Sequence, residues 1–230
     1  MKKVTLFDLD HTLIPIDSDY AWGVFTTTIG WTNTAQFAQR NEAFYAQYQA
    51  GTLDMHDYVR FATDAIRLRG EAASVAARED YMQSVVRPVI HSQALELVRR
   101  HQRAGDQVAI ITATNEFVTR PIADALGVPD LMAVELEREP SLVPGGSGWI
   151  TGAIRGVASA RAGKVTRVAE WLQARALDWQ DIDLTFYSDS TNDLPLLERA
   201  NTPVATNPDD RLRAIALERG WRILDLFPRE

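Results

Sequence analysis

Three short apolar runs, each ending in polar side chains and each followed by a helix-like pattern, constrain this chain more than any other feature. They are VTLFDLD at 4–10, QVAIITATN at 107–115 and IDLTFYSDSTND at 182–193. Runs of this length, rich in Val, Ile, Leu and Phe and alternating with helices, predict a parallel sheet built of βαβ units. In such sheets ligands bind outside the carboxyl ends of the strands, so the polar tips are expected to converge there. Further strands are expected at 203–206 (PVAT) and 221–224 (WRIL), either side of a helix over 209–219.

Asp8 and Thr112, at the first two tips, lie more than 100 residues apart, whereas a simple crossover unit needs about 30. The excess predicts an insertion. Between Pro15 and Pro88 the pattern is helical, with Phe37, Phe44, Tyr45 and Tyr48 on one face and Tyr58, Val59, Ala62 and Ile66 on another, punctuated by Gly51, Gly70 and Pro88. The expected class is therefore α/β: a Rossmann-like parallel sheet formed by 1–15 and 89–230, with a helical cap, 16–88, inserted after the first strand. At helical spacing the aromatic stripes read as the cap's own core. Within the sheet domain, 138–156 (REPSLVPGGSGWITGAIRG) reads as a hairpin, with Gly145-Gly146-Ser147-Gly148 at its tip and Trp149-Ile150-Thr151 leaving it. No Gly-Lys-Ser/Thr follows the glycines, which removes a phosphate-loop reading.

Composition excludes several function classes. A net charge of −7 and a pI near 5.2 oppose nucleic-acid binding and attraction to an anionic membrane. The absence of cysteine removes disulfides and thiolate metal sites. Asp8 and Asp10 interrupt the apolar run that a signal peptide would need after Lys2 and Lys3, and no apolar stretch approaches the roughly 18 residues of a spanning helix. The expected location is the cytoplasm.

The chemistry lies at the tips. Residues two apart on a strand face the same way, so Asp8 and Asp10 can enter one cavity. Asp189 and Asp193 bracket the end of the 182–188 strand and the helical turn after it. Two carboxylates about 4 Å apart at an effective dielectric near 20 repel by roughly 4 kcal/mol. A hard divalent cation removes that penalty, and all-oxygen donors without His or Cys favour Mg²⁺. Lysine is a further sign: Lys2, Lys3 and Lys164 are the only lysines among 24 basic residues. An internal lysine after Gly163, at the start of KVTRVAEWLQ, suits a phosphate that needs a compact ammonium, the other reading being an exposed helix start.

In order, D-x-D-x-T, a Thr at a second strand tip, a Lys opening a later helix and D-S-x-N-D at a further tip resemble the haloacid dehalogenase superfamily. The stretches ITATNEFVTRPIADALG and YSDSTNDLPLLERA, with the long cap, resemble its phosphoserine phosphatase-like subfamily IB, which includes histidinol phosphatases. The resemblance spans most of the chain. It implies a phosphatase in which Asp8 is the nucleophile that forms an aspartyl-phosphate and Asp10 the general acid and base. It implies Mg²⁺ held by Asp8, the main-chain carbonyl of Asp10 and Asp189, with Asp193 supporting and orienting Lys164. Thr112, the amide of Ala113, Lys164 and Asn192 would neutralise the phosphoryl oxygens.

The implied substrate is a small polar phosphate ester, histidinol phosphate or phosphoserine. This chain has Thr112-Ala113 where phosphoserine phosphatases carry Ser-Gly, and Asp17 where they carry a glutamate for the substrate amine. Arg60, Arg67 and Arg69 are the candidates for the cap arginine that meets a substrate carboxylate in those enzymes. A phosphomutase or phosphotransferase, or a non-catalytic phosphate-binding regulatory module, would share the core, although binding alone does not need Asp10. A dehalogenase has no leaving oxygen for Asp10 to protonate. A calcium-binding EF-hand loop starting at Asp8 is excluded by Leu13 at its glycine position and by the strand before it. A receiver domain is excluded because there the lysine comes last.

Overall fold

The computed structural model describes residues 1–50, 52–141 and 148–227. Six parallel strands form the sheet: β1 (Lys2–Phe7), β2 (Gln107–Asn115), β3 (Asp130–Val134), β6 (Ile182–Ser188), β7 (Thr202–Thr206) and β8 (Arg222–Leu224). Their spatial order is β3-β2-β1-β6-β7-β8. The order reverses at β1, between β2 on one side and β6 on the other, so the three polar tips lie side by side at the switch point. Every expected strand forms; β3 and the short β4 (Leu136–Arg138) are additional to them.

Both faces of the sheet are covered, which is why its strands are apolar almost throughout. Successive residues alternate between two cores. Phe7, Ile110 and Tyr187 face helices α5 (Ser92–Arg103) and α6 (Glu116–Ala125), while Leu6, Ile111 and Phe186 face α7 (Ala162–Gln173), α8 (Leu194–Leu197) and α9 (Asp210–Arg219).

The insertion after β1 consists of α1 (Ser18–Thr28), α2 (Thr34–Ala50), α3 (Met55–Arg69) and α4 (Glu71–Tyr81). A π-helical turn at Met82–Val86 and a 3₁₀ turn at Arg87–Val89 lead the chain from α4 towards α5. Trp22, Val59, Ile66 and Tyr81 of these helices belong to the same apolar cluster as α5 and α6. The aromatic stripe of α2 divides. Phe37 stacks on Phe61 and Phe44 packs against Tyr58 and Phe61, as a helical core requires. Tyr45 is exposed, contrary to its assignment to that face, and the Tyr48 hydroxyl approaches Ser190 and Asn192 of the sheet domain.

Antiparallel β4 and β5 (Ile150–Ile154) form the arms of the expected hairpin. Of its Gly-rich tip, residues 145–147 lie outside the described residues. The hairpin rests against α3: Trp149 Nε1 donates to Ile66 O at 3.1 Å and Arg67 to Thr151 O at 3.3 Å. Gly152 makes the approach possible, since a Cβ there would lie 2.7 Å from Arg67 Cδ and its φ of +88° is unfavourable for side-chain-bearing residues.

Candidate active site

β1 ends at Phe7, and the chain turns sharply over the next seven residues. The amides of Thr12, Leu13 and Ile14 all approach Leu9 O at 2.8–3.2 Å, and His11 takes a left-handed φ of 57°. The turn leaves His11 exposed and brings Thr12 beneath the tip. There the Thr12 hydroxyl lies 3.2 Å from both Asp8 Oδ2 and Asp189 Oδ1. One hydroxyl proton can serve only one carboxylate at a time.

Lys164 is buried, which excludes the exposed helix-start reading. Gly163 lets the start of α7 approach the loop before it, since a Cβ there would lie 2.1 Å from Ala158 O. Lys164 Nζ stands 2.7 Å from Asp8 Oδ1 and 2.7 Å from Asp193 Oδ2. Burial works against its ammonium form, but the charges of Asp193 and Asp8 prevail and raise its pKa. Asp193 also accepts from Ser188 Oγ at 2.7 Å. Two of the three ammonium protons are thereby committed, and one remains for a ligand.

Asp8 and Asp10 share a cavity but have different partners. Asp10 is turned away from Lys164: its Oδ2 accepts from Thr114 Oγ1 at 2.8 Å and its Oδ1 from Ser18 N at 3.0 Å. Burial, and then Asp17, push its pKa up to about 8, so it carries a proton at neutrality. Asp8 is raised by burial in spite of Lys164, and Asp189 is raised well above the carboxylate range by burial and then by Asp8 and Asp193.

Three carboxylates, Asp8, Asp189 and Asp193, thus share one ammonium. The excess negative charge and the all-oxygen donors suit a hard divalent cation.

At the second tip the register between β2 and β3 shifts between Ile111 and Asn115, so Thr112, Ala113 and Thr114 leave that ladder. Thr112 Oγ1 accepts from Thr114 N at 3.1 Å and keeps its own proton to donate, while its carbonyl is held by Ser159 Oγ at 2.5 Å. Asn192 stands at the rim with both nitrogens towards Ser190 Oγ, at 3.2 and 3.4 Å.

Asp17 is exposed and caps α1, accepting from Asp19 N at 3.0 Å and Tyr20 N at 2.9 Å. Asp19, to which the sequence pattern assigns no role, is the buried acid of this helix. Of the three cap arginines, Arg67 pairs with Asp64 at 2.5 Å, Arg69 lies 5.5 Å over the Trp31 ring and Arg60 is exposed. Thr12, Thr114, Ser188 and Tyr48 were also missed as site residues. Thr12 was the most accessible of these, because it closes the D-x-D-x-T pattern.

Residues 5–198 match the family model of the haloacid dehalogenase-like hydrolases. The chain is 37% identical over 226 residues to a histidinol-phosphatase of Neisseria meningitidis serogroup C (strain 8013), covering 98% of this chain and 99% of that protein. A crystal structure of a protein of unknown function from Bordetella pertussis Tohama I aligns with a TM-score of 0.90 and 41% identity, over 99% of this chain and 100% of that one. A substrate-bound phosphoserine phosphatase shares the fold, with a TM-score of 0.65 and 15% identity over 97% and 93% of the two chains. The chain belongs to the haloacid dehalogenase-like hydrolase family.

Proposed function

We propose that this phosphatase is a Mg²⁺-dependent phosphomonoesterase that hydrolyses histidinol phosphate through a phosphoryl group carried on Asp8. The observation that carries the reading is the division of labour between two carboxylates at one strand tip. Asp8 is held by Lys164 at 2.7 Å, whereas Asp10 is held by Thr114 and kept protonated. Environments that separate two such groups assign one as nucleophile and the other as acid.

Asp8 attacks phosphorus as Asp10 gives its proton to the leaving alkoxide. The Asp10 carboxylate so formed then takes a proton from the water that attacks the aspartyl-phosphate, and Asp8 is released. The third proton of Lys164, the Thr112 hydroxyl and the Ala113 amide face the phosphoryl oxygens, with Asn192 at the rim. Asp8, Asp189 and the carbonyl of Asp10 would hold Mg²⁺, which supplies charge neutralisation when bound. Residues 16–88 serve as a cap that shields this chemistry from bulk water, with Tyr48 joining it to the rim.

Histidinol phosphate is favoured over phosphoserine because it carries an amine and an imidazole but no carboxylate. Acidic Asp17 lies beside Asp10, while Arg67 and Arg69 are engaged elsewhere. The similarity to the Neisseria histidinol-phosphatase over nearly the whole chain supports the same choice. The test is kcat/KM for both esters, with Mg²⁺ and with chelator. The expected result is preference for histidinol phosphate and loss of all turnover on chelation. Preference for phosphoserine, or turnover that survives removal of the metal, contradicts the reading.

A further inference from the structure

Within the inserted helices, and lined by none of the catalytic residues named above, a cavity of about 250 Å³ lies between α1, α2 and α3. It approaches the lower end of ligand-binding cavities, which run roughly 300–1,000 Å³. Phe37, Phe61, Tyr58 and Trp31 line it together with two acids, Asp19 from the first turn of α1 and Asp64 from α3, and Asp64 is paired with Arg40 and Arg67. Gly23 shapes the cavity, because a Cβ there would lie 2.2 Å from Phe37 Cζ, so only glycine lets that ring settle against α1.

Asp19 connects this cavity to the chemistry. Asn115 Nδ2 donates to its Oδ1 at 3.2 Å, and the Tyr58 hydroxyl lies close to its carboxylate. Asn115 follows Thr114, which holds Asp10, and Ser18, whose amide also holds Asp10, precedes Asp19. Asp10 and Asp19 are therefore anchored by the same two short segments.

Charge gives the cavity its preference. Asp19 is 7% exposed, and its neighbours Asp17, Tyr58 and Asn115 supply no positive charge. Arg40 also lines the cavity, but its guanidinium sits 4.5 Å over the Phe61 ring and 3.7 Å from Asp64. Burial, and then Asp17, raise the Asp19 pKa to about 7, as expected of an acid that lacks a counter-ion. Aromatic faces around an uncompensated carboxylate are suited to an organic cation.

We propose that Asp19, aided by Tyr58, determines specificity by receiving an ammonium or imidazolium on the alcohol portion of the phosphate ester, inside the aromatic cavity between α1, α2 and α3. The inference rests on the phosphatase reading above and goes further, because it assigns leaving-group recognition to Asp19 rather than to the exposed helix cap Asp17. It also extends the substrate class to small cationic phosphate esters in general.

The test compares kcat/KM for histidinol phosphate, O-phosphoethanolamine and the uncharged p-nitrophenyl phosphate in the wild type, Asp19→Asn and Tyr58→Phe. Asp19→Asn is nearly isosteric and removes a buried charge, and circular dichroism checks that it remains folded. The ratio of kcat/KM for the cationic esters to that for the uncharged ester should fall about 10- to 100-fold in Asp19→Asn, through KM. It should fall less in Tyr58→Phe. An unchanged ratio, with all three substrates losing equally or none losing, overturns the role of Asp19. Wild-type turnover of p-nitrophenyl phosphate with no preference for either cationic ester overturns the substrate reading as well, and no turnover of any ester removes the phosphatase reading itself.

Discussion

Asp8, Asp10 and Asp19 are acids of one kind placed in three surroundings, and each surrounding sets a different behaviour. Asp8 has an ammonium against it, Asp10 has hydroxyl and amide donors, and Asp19 has an amide and a phenol. The cost of burying Asp19 should be visible in stability. Its pKa in the folded protein, about 7, lies above the usual 3.8, so the native state holds a proton that the unfolded chain has already lost between those values. Stability therefore falls as pH rises from about 4 to about 7, and the full penalty is present above pH 7. Asp19→Asn should raise Tm at pH 8, by roughly 1–3 kcal/mol in stability, and should raise it little at pH 4. Thermal melts at the two pH values check this, and an equal change at both contradicts it. Asp8, Asp189, Asp193 and Lys164 were legible in the sequence because each ends or opens an element in a recognisable order. Asp19 was not, since an acid in the first turn of a helix is ordinary and its burial depends on Tyr58 and Asn115, 39 and 96 residues away.

At the scale of elements, the strands that carry chemistry were the easiest to read, because a strand buried on both faces is a continuous apolar run ending abruptly in polar residues. β3 was not foreseen, and β4 only as the incoming arm of a hairpin whose strand bounds the sequence did not set. DLMAV and LER are short, contain acids and only one β-branched residue, and gain their strand form from pairing with β2 and β5. The aromatic pattern of α2 was read as one face, but helical period alone does not show that Tyr48 crosses to Ser190 and Asn192. The junction of α1 and α2 gives a sharp prediction. Gly23→Ala places a methyl group against the Phe37 ring and should push that ring into the cavity. The variant should lose about 1–3 kcal/mol of stability and should lose more activity towards histidinol phosphate than towards p-nitrophenyl phosphate. Equal activity on both esters relative to wild type would show that Phe37 yields without narrowing the cavity.

Across the whole molecule, a chain of net charge −7 places several of its carboxylates around one cleft at the sheet's switch point. A cation bound there stabilises the native state by mass action as well as enabling chemistry. Millimolar Mg²⁺ should raise Tm in the wild type and should raise it much less in Asp189→Asn, as read by differential scanning calorimetry. An equal rise in both would place the cation elsewhere. The α/β class and the interrupted order of the fold followed from the wide gap between the first two polar tips. Sequence did not reveal that the inserted helices share a core with α5 and α6, because such packing joins residues as far apart as Trp22 and Phe117.

The central claim is that Asp8 carries the phosphoryl group, and one measurement tests it directly. Wild-type protein and Asp8→Asn are mixed with histidinol phosphate and Mg²⁺, quenched in acid within the first turnover, and digested for mass spectrometry. The account predicts a phosphoryl adduct on the wild-type peptide VTLFDLDHTL, localised to Asp8, with neither adduct nor phosphate release in Asp8→Asn. Phosphate release by Asp8→Asn near the wild-type rate, or an adduct localised to another residue, contradicts it.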